Sequence, residues 1–451
     1  MTTSPTLERP AARVLALAIP LMASNLSQTL LSITDTMMVG RLDESGAGPL
    51  AAMGAAGILF LVMFLFLTAV FMGVQILTAR RFGEGKFEEC GRALDCGLVI
   101  STFVGIAAGL LGIFFAHEVT NAIFSNAPIA DLAADYLTFR WGGILTLCTL
   151  WTFKGFYYGI GFTKIDMVLT LTMNIANVAL NYCFIFGNLG APEMGMPGAG
   201  LSSVLATSAG CLVYIGLSLR PAFRQKYALF RPSHWSPIIA MKILRLSGPR
   251  AMQAMAFGGS IVLFKLIENR CGELSLATST VVWKSFGIPV LLALGLGSAA
   301  ATLVGHSLGA GKPADAESYA RSAVRIGIVI SSFLAALVWI FPEAILSAFT
   351  DKPEVIAAGV GPMRLMATFQ IADTVGIILA RSLNGAGCTF YVMASEILIQ
   401  LFIVTPAAFL LTHFYSENLT LVWVTWALYM LSWFLAMAWK FRQGTWKEIV
   451  V

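Results

Sequence analysis

Charge is what this sequence has least of. Only 12% of its 451 residues are Asp, Glu, Lys or Arg, about half of the roughly 25% that is usual in soluble domains. Apolar residues make up 57% of the chain, and the mean hydropathy is +0.80. A chain with so few charges cannot cover a water-facing globule, so the composition excludes a soluble protein and indicates an integral membrane protein.

Residues that build metal centres and disulfide frameworks are also scarce. The chain has 7 cysteines and 4 histidines; no two cysteines form a Cys-x-x-Cys pair, and several lie inside apolar runs, so neither a zinc site nor a disulfide framework is expected. No Asp-Asp-x-x-Asp motif is present to hold Mg²⁺ for an intramembrane prenyl transferase, and no filter-like sequence favours a channel. We therefore expect neither an enzyme nor a metal site.

Long apolar runs are abundant. Most have 20 residues or more, which suits helices that cross about 30 Å of hydrocarbon rather than the roughly 10-residue strands of a barrel. The first run follows arginines, as in a signal peptide, but lacks a clear cleavage site, so it is interpreted as an uncleaved span. Twelve spans are predicted, at about 13–38, 50–76, 93–116, 137–158, 165–187, 199–219, 246–267, 276–303, 322–347, 361–383, 389–413 and 419–440.

Basic residues predict the orientation of these spans. An even number of spans puts both termini on one side, and that side collects 21 of the 29 lysines and arginines. Cytoplasmic loops are enriched in these residues, so both termini are expected in the cytoplasm. The net charge of +5 then reflects topology, and no nucleic-acid partner is expected.

The two halves of the chain repeat each other. The segments 81–86 and 307–312 both contain Gly-x-Gly, as do 159–163 and 385–389, and one offset of 226 residues relates both pairs and also Asn174 to Gln400. The chain is therefore predicted to contain an N-lobe of six spans (1–219), a basic cytoplasmic linker (220–245) and a C-lobe of six spans with a short basic tail (246–451). Such parallel repeats usually enclose a substrate cavity. The Gly-x-Gly segments lack P-loop spacing and follow no strand pattern, so we expect tight turns between helices instead of phosphate sites.

Four segments together resemble the multidrug and toxic compound extrusion (MATE) transporters. They are "TDTMMVGRL" at 34–42, "GFYYGIGFTK" at 155–164, "NVALNYCFIFG" at 177–187 followed by "GMPGAG", and "VGHSLGAGKPADA" at 304–316. The resemblance covers nearly the whole chain, in order. It implies a V-shaped, all-α membrane protein with twelve helices in two bundles. It also implies an antiporter of the bacterial inner membrane, monomeric, that exports amphipathic or cationic drugs by alternating access in exchange for H⁺ or Na⁺, with no other cofactor.

Asp35 is the first candidate for the coupling group. It lies near the outer end of the first span, more than four helical turns from the cytoplasmic arginines, and a carboxylate at such depth is costly and usually functional. The resemblance makes it the N-lobe residue that exchanges the cation. Asn177 and Asn181 are four residues apart and share a helix face with Asn174, so their amides are expected around Asp35. Alternatively, they only hold helices together.

Asp373 and Lys284 are candidates in the C-lobe. Asp373 ends "FQIAD" at 369–373, which resembles the Phe-Gln-x-x-Asp of a C-lobe cation site in the NorM-like branch. Lys284 lies in "TVVWKSFGIP", where relatives tend to have an uncharged residue, and a buried lysine needs a carboxylate. NorM-like members have a glutamate after the span-seven proline, but here the stretch after Pro249 has Gln253 and no acid. We expect Lys284 to replace a cation beside Asp373, leaving Asp35 as the main coupling group and favouring H⁺.

Substrate recognition is less specific in the sequence. Nineteen methionines and 11% aromatic residues give the adaptable surface that promiscuous binders use. Trp283, Phe369, Gln370 and Gln253 flank the candidate charges and are predicted to line the cavity. An alternative function stays open: a flippase for a lipid-linked oligosaccharide or other lipid, whose cavity would use cations such as Arg140, Arg250 and Lys284.

Overall fold

The computed structural model describes residues 10–42, 48–123, 127–270, 272–414 and 419–451, and these ranges are nearly all helical, with no strand. The predicted all-α membrane fold is therefore confirmed. The helices are α1 Pro10–Val39, α2 Gly48–Leu67, α3 Ala69–Gly83, α4 Phe87–Phe114, α5 Ala116–Ile123, α6 Ala127–Gly142, α7 Ile144–Gly159, α8 Thr163–Phe186, α9 Met196–Leu219, α10 Pro221–Tyr227, α11 Pro237–Arg270, α12 Glu273–Gly309, α13 Pro313–Ile340, α14 Pro342–Ser347, α15 Pro353–Gly385, α16 Thr389–Ile399, α17 Thr405–Phe414 and α18 Leu419–Gln443.

Each predicted span coincides with one helix or with two helices in series. Within the described ranges, nine helical stretches are long and apolar enough to cross a membrane. The second, fourth and seventh predicted spans are not among them. The second and fourth are each divided between two shorter helices, at Thr68 and at Gly143, and the seventh lies in α11. The Thr68 hydroxyl bonds back to the carbonyl oxygen of Phe64 at 2.8 Å, a local contact that competes with the helix ladder.

The described residues group into two compact units. The N-unit comprises 23–251, and the C-unit comprises 10–22 together with 252–451. Helices α1 and α11 each contribute residues to both units, so the unit boundaries differ from those of the predicted lobes, which stay a prediction. Each unit has its own apolar core: Phe60, Leu137 and Met196 contribute to that of the N-unit, and Phe264, Trp423 and Trp426 to that of the C-unit.

The repeated Gly-x-Gly segments form matching turns, as predicted. Gly85 and Gly311 have φ of +75° and +69°, and Gly161 and Gly387 have φ of +78° and +94°. At the first pair of turns, the N–H of Lys86 bonds to the Arg81 carbonyl oxygen at 3.0 Å, and that of Lys312 to the Ser307 carbonyl oxygen at 2.8 Å. These atoms are also 226 residues apart, so both halves end the preceding helix with the same left-handed glycine turn.

A close approach of two helices positions the polar groups of the N-unit. A Cβ added to Gly198 of α9 would lie 2.4 Å from the carbonyl oxygen of Phe184 in α8. Only glycine allows this contact, so α9 packs directly against α8. The next turn of α9 carries Ser203, which this packing holds beside Asn177.

The C-unit counterpart of α8 is interrupted. Between α16 and α17, residues 400–404 form a single π-helical turn. Pro406 follows directly, and proline has no N–H for the carbonyl of residue 402, so the wider turn accommodates a ring that would otherwise break the helix. Gln400, the counterpart of Asn174, lies at the start of this turn and is buried.

Candidate functional site

Asp35 lies near the C-terminal end of α1, where α8 supplies its hydrogen bonds. The Asn181 side-chain nitrogen donates to Asp35 Oδ1 at 2.6 Å and to Asn177 Oδ1 at 3.0 Å. Asp35 is half-buried, whereas both asparagines are buried. The structure therefore brings together Asp35, Asn177 and Asn181, in agreement with the predicted shared face of the helix.

The Asn177 amide fits this cluster in either of two orientations. In one, its nitrogen donates to the Ser203 hydroxyl at 3.3 Å, with its oxygen toward Asn181. In the other, its nitrogen lies 3.2 Å from Asp35 Oδ1, and its oxygen accepts from the Ser203 hydroxyl at 3.3 Å. An amide offers an acceptor and a donor at nearly the same place, so this side chain can accept from a carboxylic acid or donate to a carboxylate.

A cation also acts on Asp35. Arg140, in the last turn of α6, interacts electrostatically with the carboxylate. Its guanidinium group stacks over the Phe60 ring, 4.0 Å from the centroid, and this contact holds the side chain in place. Arg140 was predicted only as a cation for a lipid headgroup, whereas in the structure it belongs to the surroundings of Asp35.

Asn174 has a different partner from the other two asparagines. Its nitrogen donates to the Ser27 hydroxyl at 2.6 Å, about two turns of α1 before Asp35. The structure thus places Asn174 on the predicted stripe but not around Asp35. Its part in cation exchange stays a prediction.

A second charged cluster in the N-unit was not predicted. Lys154 Nζ of α7 lies 2.9 Å from Asp166 Oδ1 of α8, and both side chains are buried. Tyr158 donates to Asp166 Oδ2 at 2.7 Å, and Tyr214 of α9 donates to Oδ1 at 3.1 Å. The signal was present in the sequence, because Lys154 and Asp166 lie inside the predicted spans 137–158 and 165–187, but Lys154 is near the cytoplasmic end of its span and is one of the 21 basic residues used to predict the orientation.

In the C-unit, the expected pair of Lys284 and Asp373 is not found. Lys284 is exposed on α12, while Asp373 of α15 is buried and the charge that acts on it is that of Glu396. Among the described residues, no ion pair joins Lys284 to Asp373. The expectation failed because sequence position places a lysine on a helix but does not say which side of the helix faces the core.

The C-unit also contains a glutamate, Glu396, which lies outside the stretch after Pro249 where NorM-like members have theirs. It is buried in α16, where the Tyr429 hydroxyl lies 2.9 and 3.1 Å from its two oxygens and Gln400 donates to Oε1 at 3.1 Å. Glu396 lies inside the predicted span 389–413, where a carboxylate is as costly as Asp35 is in the first span, so this signal was present in the sequence. Gln370, one turn before Asp373, is buried, and neither of its amide atoms is hydrogen-bonded to any residue that the structure describes.

The remaining predicted cavity residues lie in varied surroundings. Trp283 packs edge-on against Trp426, with 4.6 Å between ring centroids, and Phe369 packs against the same apolar core. Gln253 is buried in α11. Trp283 therefore belongs to an aromatic cluster of the C-unit, and the assignment of these residues to a substrate cavity stays a prediction.

A family profile described as MatE matches the chain twice, at residues 20–183 and 249–410. Two curated relatives are each described as a probable multidrug resistance protein NorM. The one from Thermotoga maritima is 25% identical over 415 residues, covering 91% of this chain and 88% of its own. The one from Pseudomonas aeruginosa is 29% identical over 394 residues, covering 84% and 79%.

Solved structures share the fold over the full length. A multidrug resistance MATE family transporter in an outward-facing conformation superposes with a TM-score of 0.90 at 18% identity, covering 100% of both chains. A transporter of the MOP superfamily from Pyrococcus furiosus gives 0.89 at 19% identity, again over 100% of both chains. At this level of identity the likeness establishes the fold alone.

Proposed function

Because the chain belongs to the MatE family, and is therefore a membrane transporter and not an enzyme, we propose that it exports drug-like amphipathic or cationic compounds in exchange for H⁺. The relatives named multidrug resistance proteins support the substrate class. The site supports the exchange, because Asp35 is a membrane carboxylate held by buried amides. The observation that carries the proposal is the 2.6 Å hydrogen bond from Asn181 to Asp35 Oδ1.

The geometry around Asp35 favours H⁺ over Na⁺. A sodium ion requires oxygen ligands, but Asn181 presents its nitrogen to the carboxylate, and its buried Oδ1 has no hydrogen-bond partner among the described residues. To ligate Na⁺ beside Asp35, this amide would have to turn over. A donor aimed at a carboxylate stabilises the ionised form without a metal ion.

The exchange uses the two orientations of Asn177. When Asp35 holds a proton, its O–H donates to Asn177 Oδ1. When the proton leaves, the Asn177 amide turns and donates to the carboxylate, and Ser203 then donates to the amide oxygen. In this orientation the Asn181 nitrogen gives up its bond to Asn177 and keeps its bond to Asp35. Protonation of Asp35 on α1 therefore changes the hydrogen bond between Asn177 and Ser203 of α9. Loading and release of H⁺ in this way would drive the alternating-access cycle.

The cellular setting is part of the same proposal. We place the protein in the inner membrane of a bacterium, as a monomer with both termini cytoplasmic, since 21 of the 29 basic residues lie on that side of the predicted spans. Asp35 would then lie toward the outer face. An outward location suits a group that collects H⁺ from outside to expel a compound.

Dye efflux from energised vesicles tests the proposal. Purified protein in liposomes preloaded with a fluorescent cationic dye is given an imposed pH gradient or, separately, a Na⁺ gradient of equal size. We expect the pH gradient to accelerate efflux at least tenfold and the Na⁺ gradient to have little effect. Efflux driven by neither gradient would contradict antiport, and in that case flipping of a labelled lipid-linked oligosaccharide in the same liposomes tests the flippase alternative.

A further inference from the structure

One face of α8 is polar along most of its length. The residues on it are spaced by four, four, three and four positions, which places them on a single stripe of the helix, and all five are buried. We call this stripe the α8 seam; it consists of Asp166, Thr170, Asn174, Asn177 and Asn181. At 1.5 Å per residue the seam extends about 22 Å, most of the thickness of a hydrocarbon core.

Helix α1 contacts the seam at two heights. Ser27 bonds to Asn174 at 2.6 Å, and Asp35 bonds to Asn181 at 2.6 Å. The partners are eight residues apart on α1 and seven apart on α8, so the two helices run parallel there at nearly equal rise. Polar groups of α1 therefore meet the outer half of the seam, from Asn174 to Asn181.

The opposite end of the seam is the Lys154–Asp166 pair. Thr170 connects this pair to the rest of the seam, because its hydroxyl accepts from Lys154 Nζ at 3.2 Å and lies 3.5 Å from Asp166 Oδ1. Buried ion pairs add little to stability and are often replaceable by apolar residues. Charges within membrane helices are instead typical of ion and proton routes.

We propose that the α8 seam is the route by which H⁺ travels between Asp35 and the end of the N-unit that holds Asp166. This rests on the proposed H⁺ exchange at Asp35. The O–H bond of protonated Asp35 breaks, and its proton passes to water held by the amides of the seam. The hydroxyls of Ser27 and Thr170 each accept one proton and give up another. The Asp166 carboxylate attracts the proton, which leaves to bulk water at that end, and no electron is transferred.

Thr170→Val is the sharper variant, because valine keeps the shape of threonine and removes only the hydroxyl. Its matched control is Thr152→Val, which removes an equally buried hydroxyl of α7 that bonds to the Cys148 carbonyl oxygen at 2.9 Å, away from the seam. Two rates are measured in liposomes: efflux driven by a pH gradient, and exchange of labelled dye for unlabelled dye without a gradient. The second rate requires no net movement of H⁺.

We expect Thr170→Val to slow gradient-driven efflux about tenfold, to raise its solvent isotope effect in D₂O, and to leave dye exchange within twofold of wild type. Thr152→Val should leave all three unchanged. A purely structural role for Thr170 would lower both rates together. Equal behaviour of the two variants in gradient-driven efflux overturns the proposal.

A second pair of variants tests the charged end of the seam. The double variant Lys154→Gln with Asp166→Asn removes both charges at once and should slow gradient-driven efflux about tenfold. The single variant Asp166→Glu keeps both charges and should keep much of the wild-type rate. The control is Asp95→Asn, which removes a largely buried carboxylate of α4 that bonds to His234. Gradient-driven efflux within twofold of wild type in the double variant overturns the proposal.

Asp35→Asn separates the two claims. If this variant loses H⁺-driven efflux while Thr170→Val and the double variant keep it, the route is wrong and the proposed function stands. If Asp35→Asn keeps H⁺-driven efflux, the proposed function fails, and the route fails with it because it begins at Asp35.

Discussion

Lys154 Nζ lies 2.9 Å from Asp166 Oδ1, and both side chains are buried, with 5% of Lys154 and none of Asp166 exposed. The sequence led us to expect a lysine–aspartate pair within the membrane, but between Lys284 and Asp373. The pair occurs instead in the N-unit, on the same helix face as the asparagines that hold Asp35. Asp166 accepts from three side chains of two neighbouring helices, so it joins α7, α8 and α9 at one end of the unit.

Breaking this pair on one side should destabilise the protein strongly. Lys154→Met leaves Asp166 buried without its cation, and removing one partner of a buried pair costs about 3 to 5 kcal/mol. Adding Asp166→Asn to Lys154→Met removes the uncompensated charge and should restore most of the loss. Thermal unfolding in detergent measures both variants. A double variant that is no more stable than Lys154→Met would contradict this account.

Replacing Asn181 should lower gradient-driven efflux far more than replacing an asparagine whose side chain bonds near the surface. Asn181→Ala removes the donor to Asp35, and a hydrogen bond to a charged group contributes about 1.5 to 3 kcal/mol. We expect gradient-driven efflux to fall at least tenfold. Asn188→Ala is the control, because the Asn188 side chain donates to the Tyr182 carbonyl oxygen at 3.2 Å, near the surface and away from Asp35. Similar efflux in the two variants would remove Asn181 from the coupling site.

The sequence predicted what depends on local pattern and missed what depends on contacts between helices. Hydropathy predicted the helices, and the Gly-x-Gly segments that recur after 226 residues predicted the glycine turns. A helix and a tight turn each depend on residues that are close together in the sequence. Asn177 and Asn181 could be grouped because helical spacing fixes their common face. The partners of Asp166 and Glu396 could not be predicted, since Tyr214 and Tyr429 come from other helices and only packing brings them near.

The left-handed turns allow a test of the repeat. Gly311 has φ of +69° and open space where a Cβ would be, so Gly311→Ala should cost only the backbone penalty of about 1 to 2 kcal/mol. Gly216→Ala is the control, because Gly216 lies within α9 with equally open space, and alanine favours a helix by up to about 1 kcal/mol. Unfolding midpoints should therefore shift in opposite directions. A shift in the same direction would contradict the assigned turn.

The turn between α3 and α4 should depend on pH through Glu84. Partial burial acts to raise the pKa of Glu84, but hydrogen bonds from Lys86 and Arg81 outweigh it and hold the pKa below its ordinary value. For an acid of lowered pKa, the stabilisation is complete above the unfolded pKa of about 4.3 and disappears as pH falls through the lower folded value. Hydrogen exchange of this turn in wild type and Glu84→Gln should differ at pH 7, and the difference should shrink as pH falls below the unfolded pKa and through the lower folded pKa. A difference that stays constant over this whole acid range would exclude Glu84 as its cause.

Coupling through Asp35 is tested most directly by comparing two isosteric variants, Asp35→Asn and Asp373→Asn. Dye efflux is measured for both under an imposed pH gradient and, separately, under an imposed Na⁺ gradient. Each change removes a membrane carboxylate and keeps its shape. We predict that Asp35→Asn abolishes H⁺-driven efflux and that Asp373→Asn keeps most of it. Loss of Na⁺-driven efflux in Asp373→Asn, with H⁺-driven efflux intact in Asp35→Asn, would contradict the account.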